Sequence, residues 1–322
     1  MAGWIAAVLL AAVLGVAWWG ASRKARARRA AAPDPVVPAA RASLATADAR
    51  VDADPDWVLA LVLDAQADAG PIGANDADAA IVASTERRLR RFASEPQQLP
   101  RRPQLLPQLL GTLRDDEASA RELAALVARD PALAAGLLRL ANSSFHRVRA
   151  QPVESLERAV ALVGTGGLRQ LVALALLQPV MQADGGSLGG LPGRIWEHTQ
   201  LAADAASRHA QRDGEDGFAA QLLALLRGLG SIVVLQALRD ACADAGRGAP
   251  APEVTAGLLR IESPRIAALV ASHWELSPRL CAALEAQQLA DPRAMDGLAR
   301  ALALSGPAAM ERMQAGETRP SG

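Results

Sequence analysis

With 322 residues and 51% hydrophobic content, the chain is long and apolar enough to bury a substantial core, which excludes disorder throughout. Lys plus Arg and Asp plus Glu each number 34, so the formal charge is zero and no global basic field points to nucleic acid. The two cysteines, Cys242 and Cys281, are far apart and lack CxxC spacing. That excludes a disulfide framework and a zinc site, and both read as small apolar residues in a reducing compartment.

Trp4 to Ala21, "WIAAVLLAAVLGVAWWGA", carries no charge and is followed at once by "RKARARR". At 1.5 Å per residue such a helix reaches about 27 Å, enough to cross a hydrocarbon core of roughly 30 Å. Trp4, Trp18 and Trp19 stand at its two ends, where an interfacial aromatic belt belongs. A cleaved signal peptide competes, but it carries its positive charges before the apolar run, and here they follow it. Residues 1–22 are therefore expected to be an uncleaved transmembrane anchor. The positive-inside rule then makes the chain a single-pass protein of the inner membrane with its bulk in the cytoplasm. Arg23, Lys24, Arg26, Arg28 and Arg29 are placed to meet anionic lipid.

Residues 23–54 begin with that basic run and continue as a Pro/Ala-rich stretch without periodic apolar positions, the pattern of a semi-extended linker. Residues 55–98 predict two short helices, one from Asp56 to Gln66 and one from Ala74 to Phe92 ending in "ERRLRRF". The arginines of the second, with Arg101 and Arg102, read as a solvated face, with an anionic lipid or acidic partner as the competing reading.

From Leu99 onward the pattern is helical and punctuated. Ser119 and Glu122 have capping-box spacing ahead of the stripe Leu123, Leu126, Val127. Asp130-Pro131 stops that helix and starts the next, Asp as N-cap and Pro at the first helical position, with Leu133, Leu137 and Leu140 as its stripe. Leu156 to Val163 repeats the helical spacing, Gly164 stops it, and Thr165 caps the helix carrying Leu168, Leu171 and Val172. The break "ADGGSLGGLPG" follows no strand and has neither a Lys-Ser/Thr pair nor GxGxxG spacing, so it is a connection and not a phosphate loop. Three further apolar-periodic segments follow, with Ser277-Pro278 as another N-cap and first-turn pair. Long β-type alternation is absent, so the fold class is all-α.

The segments "ARELAALVARDPALAAGLLRLANSSF", "VESLERAVALVGTGGLRQLVALAL", "IWEHT" and "AQLLALLRGLGSIVVL" occur in the order of the HDOD family, a branch of the HD metal-dependent phosphohydrolase superfamily, and the chain resembles that family over residues 99–304. The most specific piece is Asp130-Pro131, a helix, then Asn142-Ser143, in register with the later Trp196 and Gly230. The resemblance implies a compact helical bundle that serves bacterial signal transduction as a regulatory or scaffold module, with residues 305–322 left as a flexible tail.

In the same terms, HD enzymes hold their metals with a histidine on one helix, a His-Asp doublet on another and a further Asp. His198 falls at the first of these positions, but the doublet aligns with Arg227-Gly228, and a later His-His pair of the family aligns with Gln287-Gln288. Guanidinium is permanently cationic and offers only donors, and glycine has no side chain, so neither can ligate a metal. No cofactor or metal is therefore expected. His198 reads as a hydrogen-bonded half-buried residue. Arg227 is expected to snorkel to solvent and pair with a carboxylate, with an acidic group of a partner as the competing reading. Asn142 reads as a C-terminal cap, with a groove ligand as the alternative, while Phe145, Phe218, Trp196 and Trp274 read as core pieces.

The leading functional expectation is a membrane-anchored signalling or scaffold protein that binds a protein partner without catalysis. A residual metal-dependent phosphohydrolase and a nucleic-acid binder acting through the arginine clusters are the alternatives. The second of these lacks a helix-turn-helix, stacking aromatics or a basic domain to support it.

Overall fold

The computed structural model describes residues 56–65, 76–111, 130–142, 170–178, 186–288 and 297–317, with isolated positions between them. All of these lie in one unit, Asp54–Gly322. The expected anchor and linker, the Ser119–Glu122 box, Ser143, Phe145, Gly164 and Thr165 lie outside the described residues.

The described elements are helices α1 (Trp57–Ala65), α2 (Asp76–Ser94), α3 (Leu106–Gly111), α4 (Pro131–Ala141), α5 (Leu191–Arg212), α6 (Gly217–Asp244), α7 (Pro252–His273), α8 (Pro278–Glu285) and α9 (Gly297–Glu317). Residues 170–178 are also helical, and among the described residues there is no strand. Local chemistry explains several starts. Asp130 Oδ1 accepts from the Leu133 backbone N–H at 3.1 Å, and Pro131 takes the first helical position. Asp216 caps α6 in the same way, accepting from Phe218 and Ala219. Ser277 sits at the N-cap of α8 but makes no side-chain cap bond, so only Pro278 performs its expected role there.

Helix α6 is the axis of the bundle. It packs against α5 and α7 along much of its length and also touches α2 and α9. It is long and apolar enough to cross a membrane, yet 89% of that window is buried in protein, which makes it a core helix. Trp274 anchors the α7 end: it is 1% exposed and its indole N–H donates to the Pro100 carbonyl at 2.7 Å. Cys242 is buried and Cys281 half-buried.

One expectation is corrected here. Residues 305–322 are not a flexible tail up to Glu317, because α9 continues through Pro307 and buries Ala309, Met310 and Met313. A proline inside a helix removes one backbone donor, and packing of the i, i+3 methionines outweighs that loss here. The basic cluster is largely exposed, as expected of a solvated face; within it Arg88 pairs with Asp244 at the end of α6, and Arg102, beyond α2, donates to the Trp274 carbonyl at 2.7 Å.

Helices α6 and α7 approach closely at Gly230, where a Cβ would lie 2.4 Å from the Ser263 carbonyl oxygen and 3.0 Å from the Ala267 nitrogen. Backbone cannot yield as a flexible side chain can, so Gly230→Ala must separate α6 from α7. The substitution is expected to cost about 2 kcal/mol or more, read as a lowered urea midpoint.

Candidate functional site

Five helices each direct one helically spaced stripe at a single cavity. The contributions are Ile195, His198 and Ala202 from α5; Ala224, Arg227, Gly228 and Ser231 from α6; Leu259 and Ser263 from α7; Leu302, Ser305 and Gly306 from α9; and Trp57, Val58 and Leu61 from α1. The intervals of three, four and seven residues are those of one helix face, so regular helices alone suffice to build the walls.

At the centre of the site Trp57 meets both His198 and Arg227. The Trp57 indole lies against the His198 imidazole with ring centroids 4.4 Å apart and planes 2° from parallel. The Arg227 guanidinium carbon sits 5.0 Å from the Trp57 ring centroid, within cation–π range. His198 is 5% exposed and its Nε2 lies 3.0 Å from the Gly306 carbonyl oxygen. Because a carbonyl only accepts, Nε2 carries the proton and Nδ1 is left bare. Burial lowers the His198 pKa to about 4 against the smaller opposing effect of that hydrogen bond, and the Arg227 charge lowers it further. Burial alone lowers the Arg227 pKa, to about 10, which leaves it cationic at neutral pH.

Trp57 can come this close because Gly306 has no side chain: a Cβ there would stand 2.7 Å from the indole Cε2 and 2.8 Å from Cζ2. Helix α1 is held at both ends. Asp56 caps it, accepting from the Leu59 N–H at 3.3 Å, and pairs with Arg260 of α7. Asp64 pairs with Arg194 of α5, whose guanidinium also meets Glu197 at 2.8 Å. Partly exposed ion pairs stabilise little, so they set the position of α1 more than its affinity.

His198, Arg227 and Gly228 are thus brought together. Gln287 and Gln288 are not: Gln287 Nε2 donates to the Ala283 and Ala299 carbonyls at 3.2 and 2.9 Å, tying the turn after α8 to α9, and Gln288 is exposed. Trp196 packs against the core and does not line the cavity. Asn142 ends α4 by donating to the Leu138 carbonyl at 2.9 Å, and pins Val153 by donating to its carbonyl at 2.8 Å and accepting from its N–H at 2.7 Å. Arg227 is part-buried in the cavity wall. It pairs with no carboxylate among the described residues, and its guanidinium lies against the Trp57 ring instead. Trp57 is the site residue that sequence reasoning missed; its available signal was an Asp-capped tryptophan in a chain with only 3% aromatics.

This donor set does not fit a divalent cation. One neutral imidazole, a guanidinium and serine hydroxyls face the cavity, and among the described residues no Asp, Glu or Cys lines it. Among the described residues no group of three or more His, Cys, Asp or Glu is placed to hold a metal. With Trp57 seated, the cavity is about 30 Å³, room for roughly two waters, which is too small for a nucleotide.

The HDOD domain family model matches residues 99–290. Among solved structures the chain is similar to an HDOD domain protein of unknown function from Geobacter sulfurreducens, with 20% identity, a TM-score of 0.52 and coverage of 73% of this chain and 79% of that one. It is also similar to a protein from Shewanella amazonensis SB2B that carries a provisional phosphohydrolase name, with 24% identity, a TM-score of 0.50 and coverage of 70% and 81%. At such identities the likeness speaks for the fold alone. No curated protein matches the chain.

Burial of His198 generates a pH dependence. An unfolded imidazole titrates near 6.5 and folded His198 near 4, so between these values the unfolded chain binds the additional proton and stability falls as pH drops. The loss accumulates to about 3 kcal/mol by pH 4. His198→Gln, which keeps a donor toward Gly306 and does not titrate, is expected to remove that part of the slope when urea unfolding is compared at pH 7, 5.5 and 4.

Proposed function

The chain belongs to the HDOD domain family, and from that footing we propose that it is a non-catalytic signalling or scaffold protein, anchored in the inner membrane by residues 1–22 and binding a protein partner through its helical bundle. One observation carries the reading. The position at which enzymes of the wider superfamily gather metal ligands is walled here by an indole from the chain's own α1, in contact with both a neutral imidazole and a guanidinium.

Chemistry supports it from two sides. A fixed positive charge at the doublet position repels a divalent ion, and the histidine that would remain as a ligand has its Nε2 committed to Gly306. The rest of the core is intact, with Leu222, Leu225, Leu226 and Leu229 all fully buried. Loss of ligands therefore leaves the bundle free to serve as a binding body. The linker leads directly into the helix that lines the site, so the anchored end of the chain and the centre of the bundle are joined covalently through α1.

Full-length protein purified in detergent is expected to carry no stoichiometric iron, manganese, zinc or nickel. It should hydrolyse model phosphodiesters and phosphomonoesters only at the no-enzyme rate, with Arg227→Ala no different. One tightly bound metal per chain, with hydrolysis that disappears in His198→Ala, overturns the non-catalytic reading. For the anchor, a reporter fused after Gly322 is expected to be active only in its cytoplasmic form, and recovery of a processed periplasmic protein beginning near Ser22 would refute it.

A further inference from the structure

Arg227 is a part-buried cation with no ion pair among the described residues. Arginines nearer the surface pair with acids: Arg265 with Glu262, Arg300 with Asp213, Arg312 with Asp204 and Arg194 with Glu197. Arg227 lies in the cavity wall, and among the described residues no carboxylate and no hydrogen-bond acceptor meets its guanidinium. Trp57 answers part of the charge through its ring face, but a π face is no match for five N–H donors in a planar fork. The cavity adds hydroxyls from Ser231, Ser263 and Ser305, apolar walls, and an imidazole kept neutral, so among the described residues its net charge is that of Arg227. Ser231 Oγ already donates to Ser263 Oγ at 3.0 Å, and Ser305 Oγ to the Leu302 carbonyl at 2.6 Å, which leaves oxygen lone pairs and the guanidinium fork as the unused polar capacity.

We propose that the Trp57-covered cavity is a binding site for a small monocarboxylate, held by Arg227 in the place where a metal centre would otherwise be. The planar fork of a guanidinium matches a carboxylate in geometry, with two parallel N–H···O bonds. One positive charge among apolar walls suits a single negative charge. The space of about 30 Å³ admits a head group of formate or acetate size and excludes phosphodiesters and nucleotides while Trp57 is in place. A bound carboxylate would pair with the cation that meets the indole, and would thereby tighten α1 on the bundle. The proposal rests on the reading of this pocket as one that holds no divalent cation, since a metal and a guanidinium would compete for the same space.

The test uses the full chain in detergent at pH 7, melted in sodium acetate, formate, phosphate and chloride at equal ionic strength. Acetate and formate are expected to raise the melting midpoint by about 2–4 °C over chloride, saturably, and Arg227→Met is expected to abolish the difference. Should Arg227→Met fail to fold, the parent labelled with 5-fluorotryptophan supplies the second measurement: the Trp57 fluorine resonance, assigned with Trp57→Phe, is expected to shift saturably on titration with acetate and not with chloride. Equal midpoints in all salts, an acetate effect that survives Arg227→Met, a response to phosphate alone, or an unmoved Trp57 resonance each overturn the proposal. Metal content measured on the same preparation separates this failure from failure of the non-catalytic reading: a metal-free protein indifferent to carboxylates refutes the site, whereas a metal-loaded one refutes both.

Discussion

The indole of Trp57 is the shared partner on which the centre of this bundle depends. It stacks on His198 and lies within cation–π range of Arg227, two groups that would repel each other if the imidazole were protonated. A stacked aromatic pair contributes about 0.5–1.5 kcal/mol beyond the area it buries, and a desolvated cation–π contact up to about 2 kcal/mol. Neither alone offsets the burial of a guanidinium. Together they give it a neighbour that needs no hydrogen bond and no opposite charge. The bare Cα of Gly306 and the seat of α1 on α5, α7 and α9 follow from fitting that ring, while burial holds His198 neutral.

Helix α6 illustrates why composition misleads when it is read without neighbours. By length and apolarity it would suit a lipid bilayer, yet its apolar residues meet other helices on nearly every side. Lipid and a protein core both reward apolar surface, so the segment itself does not discriminate between them. The arginine within it is tolerated because a cavity and a tryptophan, not a hydrocarbon, lie beside it. Gly230, one turn away, brings α6 and α7 so close that backbone meets backbone, and this contact fixes the spacing of the cavity walls.

Much of the site could be read from the chain, but only as separate pieces. Asp130 and Pro131 announced the start of α4 because capping is local chemistry, and Asn142 closed the same helix for the same reason. Arg227 and Gly228 were legible as residues unable to hold a metal, since that follows from side-chain chemistry alone. The partner of Arg227 was not legible. What an arginine in an apolar helix meets depends on how the helices pack, and Trp57 lies 170 positions earlier in the chain. Gln287 was read as part of the same site, whereas its amide ties two neighbouring helical segments.

The sequence by itself determined the helical class, the principal caps and stripes, the family, and the chemical incapacity of Arg227 and Gly228, because each of these is set within a few turns of one segment or by a side chain's own functional groups. Tertiary structure alone decided that α1 supplies Trp57 to the site, that Gly306 makes room for it, that His198 is held neutral, and that α9 runs on past Pro307. Those outcomes depend on contacts between residues distant in the chain, and the free energy of such contacts exists only once the helices have packed.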